Sequence, residues 1–111
     1  MANTFKVKTD AGMPTQAGTP VTLYTVPGST TTVVIGLVLC NIDVSQRTAS
    51  VKLDPASGDT VFLLKNVPIP TGASLEVLSG GKITLETGDK IEIDCDVATK
   101  IDATLSIMEI T

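Results

Sequence analysis

The chain has no histidine and no tryptophan, one tyrosine, two phenylalanines and two cysteines among its 111 residues. Without histidine there is no Ser-His-Asp or Cys-His triad, no His-bearing zinc site and no imidazole pH switch. Only carboxylate, lysine, tyrosine or thiol chemistry is left. With Phe5, Tyr24 and Phe62 as the whole aromatic complement, there is little from which to build a stacking platform for single-stranded nucleic acid or for sugars. Basic residues are also few. Eight Lys and Arg against 12 Asp and Glu give a formal net charge of -4, whereas DNA, RNA and anionic membranes select for basic faces, so neither nucleic acid nor membrane is an expected partner. Apolar runs are short: the longest, residues 33–40, cannot span a bilayer, and the first ten residues contain no apolar stretch of a signal peptide. The chain is therefore expected to be made and assembled in a cytoplasm.

The two cysteines, Cys40 and Cys95, form no Cys-x-x-Cys pair, which excludes a metal knuckle and a thioredoxin-type redox motif. Both lie on apolar runs. They read as two buried thiols, with a single disulfide across the core as the alternative.

What is present is threonine, at 17 residues the commonest type, together with many Val and Ile. These side chains are stiff at χ1 and fit a pleated surface. After a Thr-, Gly-, Ala- and Pro-rich stretch over residues 1–20, short apolar segments alternate with turn residues, and helical periodicity is nowhere sustained. The pattern predicts an all-β chain: an extended N-terminal arm over residues 1–20, then a two-layer antiparallel sandwich over 21–111, Ig-like or jelly-roll-like, of seven or eight strands. Strands are expected at 21–26, 32–42, 47–54, 60–65, 73–78, 82–86, 89–97 and 100–110. The segment 90–97 is the clearest, with Ile91, Ile93, Cys95 and Val97 on one side and Lys90, Glu92, Asp94 and Asp96 on the other. Pro27-Gly28-Ser29, residues 54–59, residues 68–72, Ser79-Gly80-Gly81 and Thr87-Gly88-Asp89 supply turns. None leads into a helix, so a phosphate-binding loop is excluded.

No constellation assembles an enzyme site, and no cofactor is implied. Glu92, Asp94 and Asp96 fall in a row about 6.5 to 7 Å apart along a strand face, and residues 54–59 offer Asp54 and Asp59. The row is open to a weak Ca²⁺ site or a glycosidase-like carboxylate pair and the loop to a metal ion, but a solvated strand face and a hairpin turn are the better readings. Tyr24 reads as an amphipathic packing residue.

Two segments break the alternation. Residues 32–41 and 61–64 are apolar on both faces, although a small sandwich buries one face of each sheet. The second face needs cover, from the arm folded back, another copy of the chain or a larger partner. The candidate interaction residues are accordingly Phe5, Lys6, Val7 and Lys8 of the arm, Val34, Gly36 and Val38 of the first two-faced segment, and Phe62 of the second. Gly36 is read as a point of close approach, where valine would crowd the opposite layer or a neighbour.

The strings Thr22-Leu-Tyr-Thr-Val-Pro-Gly28, residues 30–41 ending in Leu-Cys-Asn, Leu64-Lys-Asn-Val-Pro-Ile-Pro-Thr-Gly72, Leu85-Glu-Thr-Gly-Asp89 and the closing residues 105–111 carry a resemblance over roughly residues 20–111. The chain resembles small all-β virion proteins of tailed bacteriophages, in particular those of cyanobacterial and marine phages. The resemblance implies a capsid decoration (cement) protein. Such a protein is a homo-oligomer, in first place a trimer, that binds the major capsid protein or other virion proteins, bridges capsomers and resides in the virion after assembly in the host cytoplasm. A neck, tail or fibre protein shares the architecture. A Ca²⁺-assisted carbohydrate-binding sandwich using Asp54, Asp59 or the row Glu92, Asp94 and Asp96 is the alternative from another class, and the scarcity of aromatics weighs against it.

Overall fold

The computed structural model describes residues 2–111, and among these the chain forms strands and turns with no helix. The strands are β1 (Asn3–Met13), β2 (Val21–Thr25), β3 (Thr31–Asn41), β4 (Arg47–Asp54), β5 (Val61–Ile69), β6 (Ser74–Glu76), β7 (Ile83–Leu85), β8 (Lys90–Cys95) and β9 (Ile101–Ile110). All pair antiparallel, in two sheets. Sheet I runs β1-β9-β3-β6, with β7 also paired to β3; sheet II runs β2-β8-β4-β5. The all-β sandwich expected from alternation is present.

The core lies between the sheets and follows the period of two. β9 contributes Ile101, Ala103, Leu105 and Ile107; β8 contributes Ile91, Ile93 and Cys95; β4 contributes Ala49 and Val51. In β3 the inward residues are Val34, Leu37 and Leu39. Val34 and Leu37 are three apart because the register with β9 shifts between Val34 and Gly36. This bulge, which gives one strand an extra residue opposite its partner, turns both Ile35 and Gly36 outward. It explains why the segment reads as apolar on two faces.

The N-terminal stretch, expected as an extended arm over residues 1–20, is extended but belongs to the sandwich through Met13. Asn3–Met13 is an edge strand of sheet I, paired with β9 from Asn3 opposite Ile110 to Asp10 opposite Ala103. Its side chains are exposed on both faces until Met13, which enters the core. Gly12 adopts φ +68°, a conformation that costs glycine little. Its N–H donates to Asp102 Oδ1 at 2.9 Å, and a Cβ there would sit 3.4 Å from the Thr99 carbonyl oxygen. Residues 14–20 then cross to sheet II, fastened by Thr99 N–H to the Pro14 carbonyl (2.8 Å) and Gly18 N–H to the Cys95 carbonyl (3.2 Å).

β5 runs on to Ile69, past the end expected from sequence, and includes Pro68. Proline fits there because β5 is the edge of sheet II and has no outer neighbour to receive an N–H. The loop after β3 is held by buried Asn41, whose Nδ2 donates to the carbonyls of Ser45 and Ile69 (both 2.9 Å) while its Oδ1 accepts from Asp43 N–H (2.9 Å). Arg47 Nε meets Asp43 Oδ2 at 2.6 Å and holds that carboxyl below its usual range.

Candidate interaction surface

Directly opposed residues of an antiparallel pair share a face, so the registers of sheet I define its outer surface row by row. Phe5, Met108, Val33 and Thr84 form one row; Val7, Ser106 and Gly36 the next; Thr9, Thr104, Val38 and Glu76 the third; Asp102, Cys40 and Ser74 the last. Ile35, raised by the bulge, stands beside Gly36. Phe5 is 72% exposed and Val7 62%, and Ile35 and Val38 are exposed as well. No lysine or arginine lies in these rows. Of the two carboxylates, Glu76 Oε1 accepts from Leu37 N–H at 3.2 Å and Asp102 Oδ1 from Gly12 N–H, so each is turned to backbone of its own sheet.

The outer face of sheet II is different in kind. Lys52 stands opposite Glu92, Asp54 opposite Lys90, and Asp94 opposite Ser50, an interspersed charged layer that keeps the surface in water. Phe62, also on this side, is 45% exposed, but its ring is flanked by Lys52 Nζ and Lys65 Nζ, each 5.1 Å from the centroid, a cation-π arrangement that shields it. The structure therefore places Phe62 apart from Phe5, Val7, Gly36 and Val38, which lie together.

Lys6 and Lys8 point to the opposite side of β1, toward the open margin of the core. Lys6 Nζ is 2.7 Å from Glu109 Oε1. Glu109, only 5% exposed, takes the inward position after Ile101, Ala103, Leu105 and Ile107, and Tyr24 Oη donates to its Oε2 at 2.5 Å. The phenol has one proton, so in the contact between Tyr24 Oη and Thr32 Oγ1 (2.8 Å) the threonine donates. Lys6 first and Tyr24 second hold the Glu109 carboxyl below its ordinary range. Burial, reinforced by Glu109, pushes the Tyr24 hydroxyl up to about 12. This set joins β1, β2, β3 and β9. Sequence reading missed Glu109, yet a carboxylate at an inward position of an otherwise apolar alternation is itself the signal of a buried charged partner.

Two further expectations are corrected. Val34, 1% exposed, faces the opposite sheet and cannot touch a partner. Gly36 lies on the outer face, where a Cβ would meet only the Glu76 carboxylate, at 3.6 Å, and the opposite layer is not involved. The cysteines are free. Cys95 is in the core, its thiol pushed up by burial, whereas Cys40 is half-buried on the outer face of sheet I, on the far side of that sheet from Cys95. Asp94 Oδ1 accepts from Cys95 N–H (2.7 Å) and Asp96 Oδ1 from Thr48 N–H (3.2 Å), while Asp54 Oδ1 accepts from the Thr60 hydroxyl (2.9 Å). Among the described residues no group of acidic or thiol side chains is arranged to hold a metal ion, and their surface shows no pocket.

No protein-family model matches the sequence, and no curated protein matches it. Among solved structures, the chain is similar to Bacillus endospore appendages, described as a novel family of disulfide-linked pili, at 12% identity and a TM-score of 0.57 over 99% of this chain and 87% of that one. It is also similar to a chain of the T13 viral particle of infectious bursal disease virus, at 16% identity and a TM-score of 0.60, over 96% of this chain and 30% of that one. At these identities the likeness is one of fold, and it agrees with the two-sheet architecture.

Proposed function

We propose that the chain is a structural subunit of a virion, most concretely a capsid decoration protein that bridges capsomers, and that its role is not catalytic. The observation that carries this reading is the outer face of sheet I, where Phe5, Val7, Ile35 and Val38 are exposed together among rows that hold no lysine or arginine. Monomeric soluble proteins rarely leave large side chains of this kind gathered on one open face. The phage resemblance across residues 20–111 supports a virion protein, with the head placed first and the neck, tail and fibre sharing the architecture, and the fold shared with a chain of a viral particle is consistent with a virion role. On a lattice, many weak contacts made by repeated copies sum to firm attachment.

The test is co-sedimentation of the purified chain with emptied heads of the phage that encodes it. Saturable binding in fixed ratio to the major capsid protein is expected. Binding to tails or necks instead would move the chain to that part of the particle, and binding to neither would overturn the virion reading.

A second reading, a filament subunit, is favoured by the near-complete mutual coverage with the spore appendage chain. Its disulfide linkage does not carry over simply. With Cys95 buried, only Cys40 can reach another chain, and one thiol per subunit ties two copies without propagating a series.

A further inference from the structure

We infer that β1 is an exchangeable strand: it lifts from β9 as a unit, turning at Gly12, and docks on the β9 edge of a second copy of this chain, so that each copy supplies Lys6 to the Glu109 of the other. The inference goes beyond the virion reading and does not depend on where the chain sits in a particle.

Three observations converge on it. The first is how little holds β1. Every side chain from Asn3 to Thr9 is exposed, so lifting the strand uncovers hardly any apolar surface of its own. What holds it is backbone pairing and one ion pair. Ala2 N–H donates to the Thr111 carbonyl at 3.0 Å, and Thr111 N–H returns the bond at 2.9 Å. By the alternation of an antiparallel ladder, Thr4, Lys6, Lys8 and Asp10 are then the residues bonded to β9, while the backbone groups of Asn3, Phe5, Val7 and Thr9 turn to the open edge. A segment with few buried apolar contacts and an exposed ladder opens at a lower free energy than the sandwich it lies on.

The second is the hinge. The register with β9 shifts between Asp10 and Met13, Gly12 in that gap has φ +68°, and Met13 beyond it is buried in the core. Glycine takes left-handed and extended backbone alike, so rotation at Gly12 swings residues 3–10 clear while the chain from Met13 onward stays packed.

The third selects the occupant. With β1 lifted, the β9 edge presents Glu109, a carboxylate only 5% exposed that has lost Lys6. A buried charge deprived of its partner is costly. A strand that covers this edge again has to bring a cation to the position opposite Ile107, from which Lys6 reaches diagonally to Glu109. The β1 of a second copy brings it in register. A chain's own β1 and a neighbour's satisfy Glu109 equally, so concentration decides between the closed monomer and the exchanged pair, and reciprocal exchange closes at two.

The test is cysteine capture. Val7 and Ser106 stand opposite each other without exchanging backbone bonds, a placement that sets Cα atoms about 4.5 Å apart, within reach of a disulfide. In a Cys40→Ser background, a chain carrying Val7→Cys and a chain of different mass carrying Ser106→Cys are mixed over a concentration series, oxidised and run on a non-reducing denaturing gel. The expected result is a covalent heterodimer whose yield rises with the concentration of the mixture. Adding Lys6→Glu to the Val7→Cys chain should lower that yield at least about tenfold, Lys6→Arg should preserve it, and Phe62→Cys in place of Val7→Cys should give none; circular dichroism checks the fold of each. Amide hydrogen exchange on the unmodified chain should release Thr4, Lys6, Lys8 and Asp10 before the amides that join β9 to β3. No heterodimer at any concentration, one formed equally with Phe62→Cys, or one indifferent to Lys6→Glu overturns the inference, as does equal protection of the two ladders. A chain that binds emptied heads without exchanging strands sinks only this inference, while one that exchanges strands and binds no part of the virion sinks the function and leaves the exchange standing.

Discussion

Replacing Tyr24 by phenylalanine removes one oxygen and tests the buried set that joins the two sheets at the β1 end. Tyr24 Oη gives Glu109 its second donor and receives the Thr32 hydroxyl, while the ring stays in the core. A hydrogen bond to a charged group contributes about 1.5–3 kcal/mol, and the carboxylate oxygen left behind is buried without a donor. The expected loss is about 2–3 kcal/mol, which for a domain of this size lowers the melting temperature by roughly 8–12 °C. The pH dependence has a definite sign. Lys6 and Tyr24 depress the Glu109 carboxyl in the folded state, so its contribution is present above the ordinary glutamate value of about 4.3 and lost as pH falls through the lower folded value. The gap between wild type and Tyr24→Phe should be full at neutral pH and shrink on acidification. At alkaline pH the raised hydroxyl works in the other direction: the neutral phenol stabilises the fold below about 10, and that contribution is lost as pH rises toward about 12. Because Tyr24 is the only tyrosine and there is no tryptophan, an ultraviolet absorbance titration reads this one group. Thermal melts that differ by less than about 0.5 kcal/mol at neutral pH, or a gap that stays constant from neutral to acid, would refute the reasoning.

Gly36→Val should cost less than about 1 kcal/mol, because its side chain enters the outer face beside Glu76, whereas Leu37→Ala, one residue on and fully buried, should cost about 2–5 kcal/mol; denaturant unfolding of the two variants compares them directly. Asn41→Ala leaves two carbonyls and the Asp43 N–H without their partner and should lose at least about 2 kcal/mol by thermal melting. Deleting residues 1–10 keeps Met13 in the core, so circular dichroism should still show a β fold; it also frees the β9 edge and removes Lys6 from Glu109, so the melting temperature should fall and sizing should show larger species. Outright unfolding of that truncation would show that β1 nucleates the sandwich.

Alternation made β8 and β9 legible in the sequence because each buries one face and wets the other, and turn residues marked the ends of the remaining strands of the sandwich except β5, which runs on through Pro68 to Ile69. β1 escaped for the complementary reason. An edge strand exposed on both sides needs only backbone pairing, so Asn3–Asp10 shows no inward set of apolar residues for a pattern to find. The bulge at Ile35 escaped as well, since a shift of one residue arises from how β3 meets β9, and without it Val34 and Gly36 fall on the same face. Of the interaction residues, Phe5, Val7 and Val38 could be picked out as apolar side chains with no evident interior partner. Their gathering into one layer depends on cross-strand register, which a single chain of letters does not contain.

The pairing around β3 bears on how copies of the molecule aggregate. On one side of sheet I the edge is β1, long and in unbroken register for eight residues. On the other, β3 meets two separate three-residue strands, β6 and β7, with the Glu76 carboxylate inserted at the gap between them. Sheet II ends on bulged β5 with its proline and on five-residue β2, itself irregular. A foreign strand can zip along β1 and finds no comparable rail elsewhere. Polymerisation through sheet edges needs two compatible ends on each unit, so a molecule with one reactive edge ends a chain as soon as it joins it. Misassembly by this route is self-terminating.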